Sequence, residues 1–96
     1  MPHLINGIVI SCGAKIGKHC QIFQQVTIGE EKKGYPIIAD NCIIGAGAKI
    51  IGAVNVGDNV WIGANAVVVD DIPSNSVAVG VPARILPNIH KVKPHL

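Results

Sequence analysis

The stretch IIGAGAKIIGAVNVGDNVWIGANAVV, residues 43–68, repeats its character every six positions. Ile44, Ile50, Val56, Ile62 and Val68 are branched aliphatics set six apart. Two residues before each stand Cys42, Ala48, Val54, Val60 and Ala66, all small or medium apolar side chains. Ile38 keeps the phase on the N-terminal side. Beyond a ten-residue step the series resumes at Ile28, Ile22, Ile16 and Ile10, and Leu4 extends it. Val26, Cys20, Ala14 and Ile8 are the earlier inner partners. Glycine follows the aliphatic at Gly17, Gly29, Gly45, Gly57 and Gly63.

Side chains alternate between the two faces of a strand, so an aliphatic and the residue two before it share a face. The residue between them points the other way. Each short strand must then end in a turn, where Gly, Asn and Asp tolerate positive φ. Asn6-Gly7, Asp40-Asn41, Asp58-Asn59, Ala64-Asn65 and Asp70-Asp71 supply such turns. Three strands and three turns close a triangular coil of about 18 residues, the hexapeptide-repeat solution. The fold class is therefore all-β: a parallel β-helix of hexapeptide repeats, about four coils, stacked and hydrogen-bonded along its length. Three inner columns are expected. Leu4, Ile22, Ile44 and Ile62 form the first, Ile10, Ile28, Ile50 and Val68 the second, and Ile16, Ile38 and Val56 the third. Cys20 and Cys42 fall one coil apart, with Val60 next, as small core residues. A strict six-residue phase over ten steps argues against a sandwich or barrel.

Composition agrees. The 96 residues suffice for one domain and contain one Phe, one Tyr and one Trp. A core of Ile, Val, Ala and Gly suits thin, regular layers. A formal charge of +2 is too small for a nucleic-acid surface. No apolar run approaches the roughly 18 residues that span a membrane. Met1-Pro2-His3 carries no charged leader, so no secretion signal is expected. Cys12, Cys20 and Cys42 are odd in number and form no C-x-x-C pair, which fits reduced thiols and a cytoplasmic location.

The ten-residue step places one protruding loop at residues 30–36, Glu30-Glu31-Lys32-Lys33-Gly34-Tyr35-Pro36. It is either a solvated surface loop or a substrate lid. After Val68 the pattern decays, and proline and glycine are expected to stop the ladder. Residues 1–86 are then the β-helix and 87–96 a C-terminal tail. That tail is the one candidate C-terminal cap. At the N-terminus the chain starts inside the repeat, with no cap.

Gly7-Ile8-Val9-Ile10, Ala14-Lys15-Ile16-Gly17 and residues 22–29 resemble the serine O-acetyltransferases. So do Ile44-Gly45-Ala46-Gly47-Ala48-Lys49-Ile50, residues 62–68 and Gly80-Val81-Pro82-Ala83-Arg84. The likeness covers about 80 of the 96 residues, and its ordered combination ending in Gly-Val-Pro-Ala-Arg is its specific part. It implies left-handed winding, against the usual right-handed crossover. It also implies a homotrimer with acetyl-CoA in the groove between neighbouring helices. Gly29, Ala46, Gly47, Ala64 and Asn65 would line the pantetheine arm, and Arg84 and Lys49 would face the phosphates. Each of these small residues is equally well explained by turn geometry and tight stacking. His3 would be the general base of a direct transfer, and a backbone N–H in the Gly29 segment would meet the oxyanion. A free imidazole, with a pKa of about 6.5, suits that task near neutrality.

The chain departs from the family at several points. One extra residue separates His3 from Gly7, and Pro2 stands where the family has an acid. Gly34-Tyr35 stand where its loop often carries an Arg-His pair, which makes Tyr35 the substrate-loop candidate. Glu30 replaces a second glycine, and the family's N-terminal helical domain lies outside these 96 residues. Three functions stay open. They are serine O-acetylation, O-acetylation of a sugar or glycan precursor, and an inactive trimeric scaffold. A zinc site is not expected, because His3, His19, His90 and His95 do not stack in adjacent coils as three ligands must. The core of a lone four-coil prism leaves a thin margin over chain entropy, a physical motive for trimerisation. Tyr35 and Trp61 are the aromatics expected to face outward.

Overall fold

The computed structural model describes residues 3–5 and 7–86, the first three by their strand pairing alone. Among the described residues thirteen short strands run in order: β1 His3–Ile5, β2 Ile8–Ile10, β3 Lys15–Ile16, β4 Gln21–Ile22, β5 Thr27–Gly29, β6 Ile37–Ile38 and β7 Ile43–Ile44. They continue as β8 Lys49–Ile51, β9 Asn55–Val56, β10 Trp61–Ile62, β11 Val67–Val68, β12 Val77–Val79 and β13 Arg84–Leu86. The six-residue phase deals them in rotation to three sheets. The first has the order β1-β2-β5-β8-β11, the second β3-β6-β9 and the third β13-β12-β10-β7-β4.

The inner columns are in register. Ile10, Ile28, Ile50 and Val68 pair down the first sheet. Ile16, Ile38 and Val56 pair down the second, and Ile72 bridges Val56 to extend it. Ile22, Ile44 and Ile62 pair down the third and continue to Ala78. Ile28, Ile44, Ile50 and Ile62 are fully buried, each contributing roughly 1.5–3 kcal/mol by its removal from water. No helix among the described residues is long and apolar enough to cross a membrane.

Turn chemistry divides between two positions. The third residue after Ile16, Ile22, Ile38, Ile44, Val56, Ile62 and Ile72, the branched aliphatics of the second and third columns, takes positive φ: His19, Gln25, Asn41, Gly47, Asn59, Asn65 and Asn75. Asn fills four of these because its short amide tolerates the left-handed region. The residue directly after the aliphatic needs space instead. A methyl group on Gly45 would sit 2.7 Å from the Ala64 nitrogen, in the backbone of the next coil.

Three expectations are corrected at the ends. Leu4 does not join the Ile22 column. β1 folds back antiparallel on β2, with Leu4 opposite Val9 and Ile5 opposite Ile8. Gly7 takes positive φ just before β2, and Asn-Gly in the sequence is a strong hairpin signal that wins over the six-residue spacing. The first coil therefore does not start bare. At the other end the ladder outlasts Val68, because Ile72, Val77 and Ala78 are apolar and buried. β12 pairs parallel with β10, and β13 then folds back antiparallel on β12. An antiparallel strand thus covers one sheet edge at each end, so residues 84–86 act where the tail was expected to. The tail, residues 87–96, lies outside the described residues.

Candidate functional site

The turns from the third sheet to the first stack as residues 23–26, 45–48 and 63–66. The Gly47 N–H donates to the Gln24 carbonyl at 3.0 Å, and the Asn65 N–H to the Ala46 carbonyl at 2.9 Å. These bonds assemble Ala46, Gly47, Ala64 and Asn65 into one strip of small residues along a corner of the prism. Gln24 and Gln25 hold the equivalent places in the first coil, so the strip begins at the second. Positive φ at Gln25, Gly47 and Asn65 turns the backbone alike in all three coils.

Two cations flank this corner. The Lys49 ammonium lies 3.5 Å from the Gly47 carbonyl. Arg84 is exposed and pairs with Val79, whose side chain lies against Gly63 at the end of the same corner. The structure therefore gathers Ala46, Gly47, Lys49, Ala64, Asn65 and Arg84.

Gly29, Tyr35 and His3 belong to the opposite edge of the first sheet. Thr27 pairs with Lys49 and Gly29 with Ile51, so Gly29 stands two residues beyond the level of Lys49, roughly 7 Å along the strand at about 3.3 Å per residue. His3 is opposite Ile10 in the strand register, at that same edge. Its side chain lies outside the described residues.

The loop at residues 30–36 closes as a tight hairpin. The Glu31 N–H donates to Gly34 at 2.8 Å and the Gly34 N–H to Glu31 at 3.0 Å, leaving Lys32 and Lys33 at the tip. Its base is fastened. The Ser11 hydroxyl donates to Glu30 Oε1 at 2.8 Å. The Tyr35 ring covers Gly13, where a methyl group would find no room, and the Glu31 carboxylate lies against Gly52. Pro36 is buried. Backbone bonds within the tip and side-chain contacts at the base thus join the loop to the coils beside it. The bond between Ser11 and Glu30 escaped the sequence reading, because nineteen residues separate them and only the coil stacking brings them together.

Cys42 is fully buried, and its thiol donates to the Gly57 carbonyl at 3.1 Å. Burial pushes its pKa up to about 11. Cys20, in the coil before, donates to Ala39 at 3.2 Å. Both act as core residues, and the site makes no use of them. His19 is an exposed turn residue. No group of three or more His, Cys, Asp or Glu side chains able to hold a metal ion occurs among the described residues.

No family model matches the chain. A serine acetyltransferase of Synechococcus elongatus is 43% identical over 84 residues, covering 83% of this chain and 34% of that protein. A Neisseria gonorrhoeae serine acetyltransferase solved in complex with serine superposes with a TM-score of 0.79 at 40% identity, over 81% of this chain and 33% of the other. A serine acetyltransferase solved in complex with CoA gives a TM-score of 0.79 at 42% identity, over 83% and 34%. The chain is a serine acetyltransferase-like hexapeptide-repeat protein. Its solenoid is the left-handed parallel β-helix of those structures. This serine acetyltransferase-like chain spans about a third of the length of the relatives it matches.

Proposed function

We propose that the chain is an acetyl-CoA-dependent O-acetyltransferase with L-serine as acceptor, serving cysteine biosynthesis. The observation that carries this reading is the likeness, at 42% identity, to a serine acetyltransferase that binds CoA. In this reading the CoA arm lies along Ala46, Gly47, Ala64 and Asn65, where small side chains leave the backbone within reach. Lys49 and Arg84 neutralise the phosphates. The thioester extends across the first sheet to the edge that holds Gly29.

There His3, neutral, takes the proton of the serine hydroxyl as its oxygen attacks the thioester carbonyl. The Gly29 N–H meets the oxyanion. Collapse of the tetrahedral intermediate breaks the C–S bond, and the imidazolium returns its proton to the leaving sulfur. O-acetylserine and CoA result, with no covalent enzyme intermediate. The working unit is a homotrimer, with the cofactor groove between neighbours. Three free thiols suit a reducing cytoplasm.

A second reading takes a sugar or glycan precursor as the acceptor. Gly34 and Tyr35 at the loop position of the family's Arg-His pair favour it. The third reading is an inactive trimeric scaffold, which forms neither product and releases no CoA. Mass spectrometry of the products separates the three. O-acetylserine formed with free CoA supports the proposal. Acetylated sugar without acetylserine supports the second reading, and CoA release with neither acceptor excludes both.

A further inference from the structure

Cys20 and Cys42 form a stacked pair that the acetyl-donor site does not use. Gln21 pairs with Ile43 and Ile22 with Ile44 along β4 and β7, and the Gln21 N–H donates to the Cys42 carbonyl at 2.9 Å. Cys20 and Cys42 therefore hold the same place in successive coils, with α-carbons about 4.8 Å apart, the spacing of hydrogen-bonded strands. The two thiols also lean the same way. The Cys20 thiol donates to the Ala39 carbonyl at 3.2 Å and the Cys42 thiol to the Gly57 carbonyl at 3.1 Å, each one coil ahead. The Cys20 sulfur thus already reaches toward the level of Cys42.

Exposure separates their roles. β4 is the edge strand of the third sheet, and Cys20 is half-buried there while Cys42 is fully buried. An oxidant meets Cys20 first, and Cys42 stands beside it as the resolving thiol. We propose that Cys20 and Cys42 are a peroxide-sensitive modification site, joined reversibly as a disulfide that fastens the first coil to the second. The Cys20 sulfur attacks hydrogen peroxide, the O–O bond breaks, and a sulfenic acid and one water form. Cys42 then turns from the Gly57 carbonyl and attacks the Cys20 sulfur. The S–S bond forms, the S–O bond breaks, and the hydroxyl leaves with the Cys42 proton as a second water. The α-carbon spacing lies inside the disulfide range of about 4.4–6.8 Å, and the β-carbons must close to about 3.8 Å. The first coil can supply that small movement, because Ile10, Ile16 and Ile22 are only partly buried, whereas Ile28, Ile38 and Ile44 of the next coil are buried. The bridge closes residues 20–42 into a loop that holds Gly29 and the protruding hairpin. This chemistry stands apart from acetyl transfer and holds whichever acceptor the chain uses.

The test treats the full chain with hydrogen peroxide, blocks the remaining thiols with N-ethylmaleimide in denaturant, and maps tryptic peptides without reduction. Cleavage after Lys15, Lys18, Lys32, Lys33 and Lys49 puts Cys12, Cys20 and Cys42 on separate peptides. The peptides of residues 19–32 and 34–49 are expected to appear joined, lighter than their sum by two hydrogens, and to separate with dithiothreitol. The melting temperature is expected to rise by roughly 5–10 °C on oxidation and to return on reduction. Cys20→Ala should abolish both changes, and Cys12→Ala should preserve both. The wild-type peptide map decides the question even if Cys20→Ala does not fold. Peroxide that leaves Cys20 and Cys42 as free thiols, or carries Cys20 to an unlinked sulfinic acid, overturns the pair. A bridge through Cys12 in place of either residue also overturns it. Joined peptides from a protein that melts no higher than the reduced form overturn the fastening of the coils.

Discussion

Asp58 Oδ1 accepts the backbone N–H of Asp40 at 2.9 Å, one coil away. The relation repeats along the corner: Asp40 Oδ1 accepts the N–H of Lys18 at 2.8 Å, and the Ser74 hydroxyl oxygen accepts the N–H of Asp58 at 2.9 Å. Each side chain thus satisfies an amide of the preceding coil. Asn41, Asn59 and Asn75, one residue on in each turn, supply the positive φ. Asp and Asn therefore hold distinct offices in one dipeptide.

Removing the acceptor isolates this term. Asp58→Ala is expected to destabilise the fold by about 1 kcal/mol, lowering the melting temperature by roughly 4–8 °C for a domain of this size. Asp58→Asn keeps an Oδ1 acceptor and is expected to lose much less. Thermal unfolding followed by circular dichroism checks the pair.

Glycine substitutions separate packing from binding. Gly45→Ala drives a methyl group to 2.7 Å from Ala64 N and 2.9 Å from Ile62 O, rigid backbone that has no room to yield. A loss of about 1–3 kcal/mol or more follows. At Gly29 the nearest atom to a new methyl is Ile51 Cδ1 at 3.4 Å, a movable side-chain end. Gly29→Ala is expected to melt like wild type, while its acetyl-transfer rate falls if the backbone there meets the thioester. Melting and turnover measured on the same samples distinguish the two.

The cysteines are expected to differ in reactivity. Cys12 is exposed and Cys42 fully buried. Iodoacetamide at pH 8 should alkylate Cys12 in the folded protein and reach Cys42 only after unfolding, as peptide mass mapping would show. The Cys42 pKa, pushed up from 9.0 to about 11 by burial, also bears on stability. The unfolded chain loses this proton first, so the contribution is complete below pH 9 and fades as pH rises toward 11. Cys42→Ala should flatten that alkaline decline in a pH series of melting temperatures.

Assembly is expected to be trimeric. Sedimentation at micromolar concentration should give a particle of three times the 10.0 kDa chain mass. Ile37 and Tyr35, 42% and 39% exposed, are apolar surface that a neighbour could cover. A stable monomer would contradict both the trimer and a groove shared between subunits.

Much of the fold was legible because one period encodes it. Ile28, Ile44 and Ile62 fall into columns by counting alone. The ends were harder, since β1 and β13 pair antiparallel by local turns that compete with the period. Leu4 satisfies the six-residue spacing and still pairs with Val9. In the site, the strip from Ala46 to Asn65 follows from stacking like the core. The Ser11–Glu30 bond and the cover of Tyr35 over Gly13 do not, because they depend on how an inserted loop settles on the coil behind it.

The most direct test of acetyl transfer is the loss of thioester absorbance from acetyl-CoA, with and without L-serine, for wild type and His3→Ala. Direct absorbance avoids a thiol reagent that the exposed Cys12 would consume. Serine-dependent turnover in wild type, abolished in His3→Ala, is the expected result. Turnover that His3→Ala retains would contradict the assignment of the base. No turnover and no CoA binding in wild type would contradict the acetyltransferase reading itself and leave the β-helix as a scaffold.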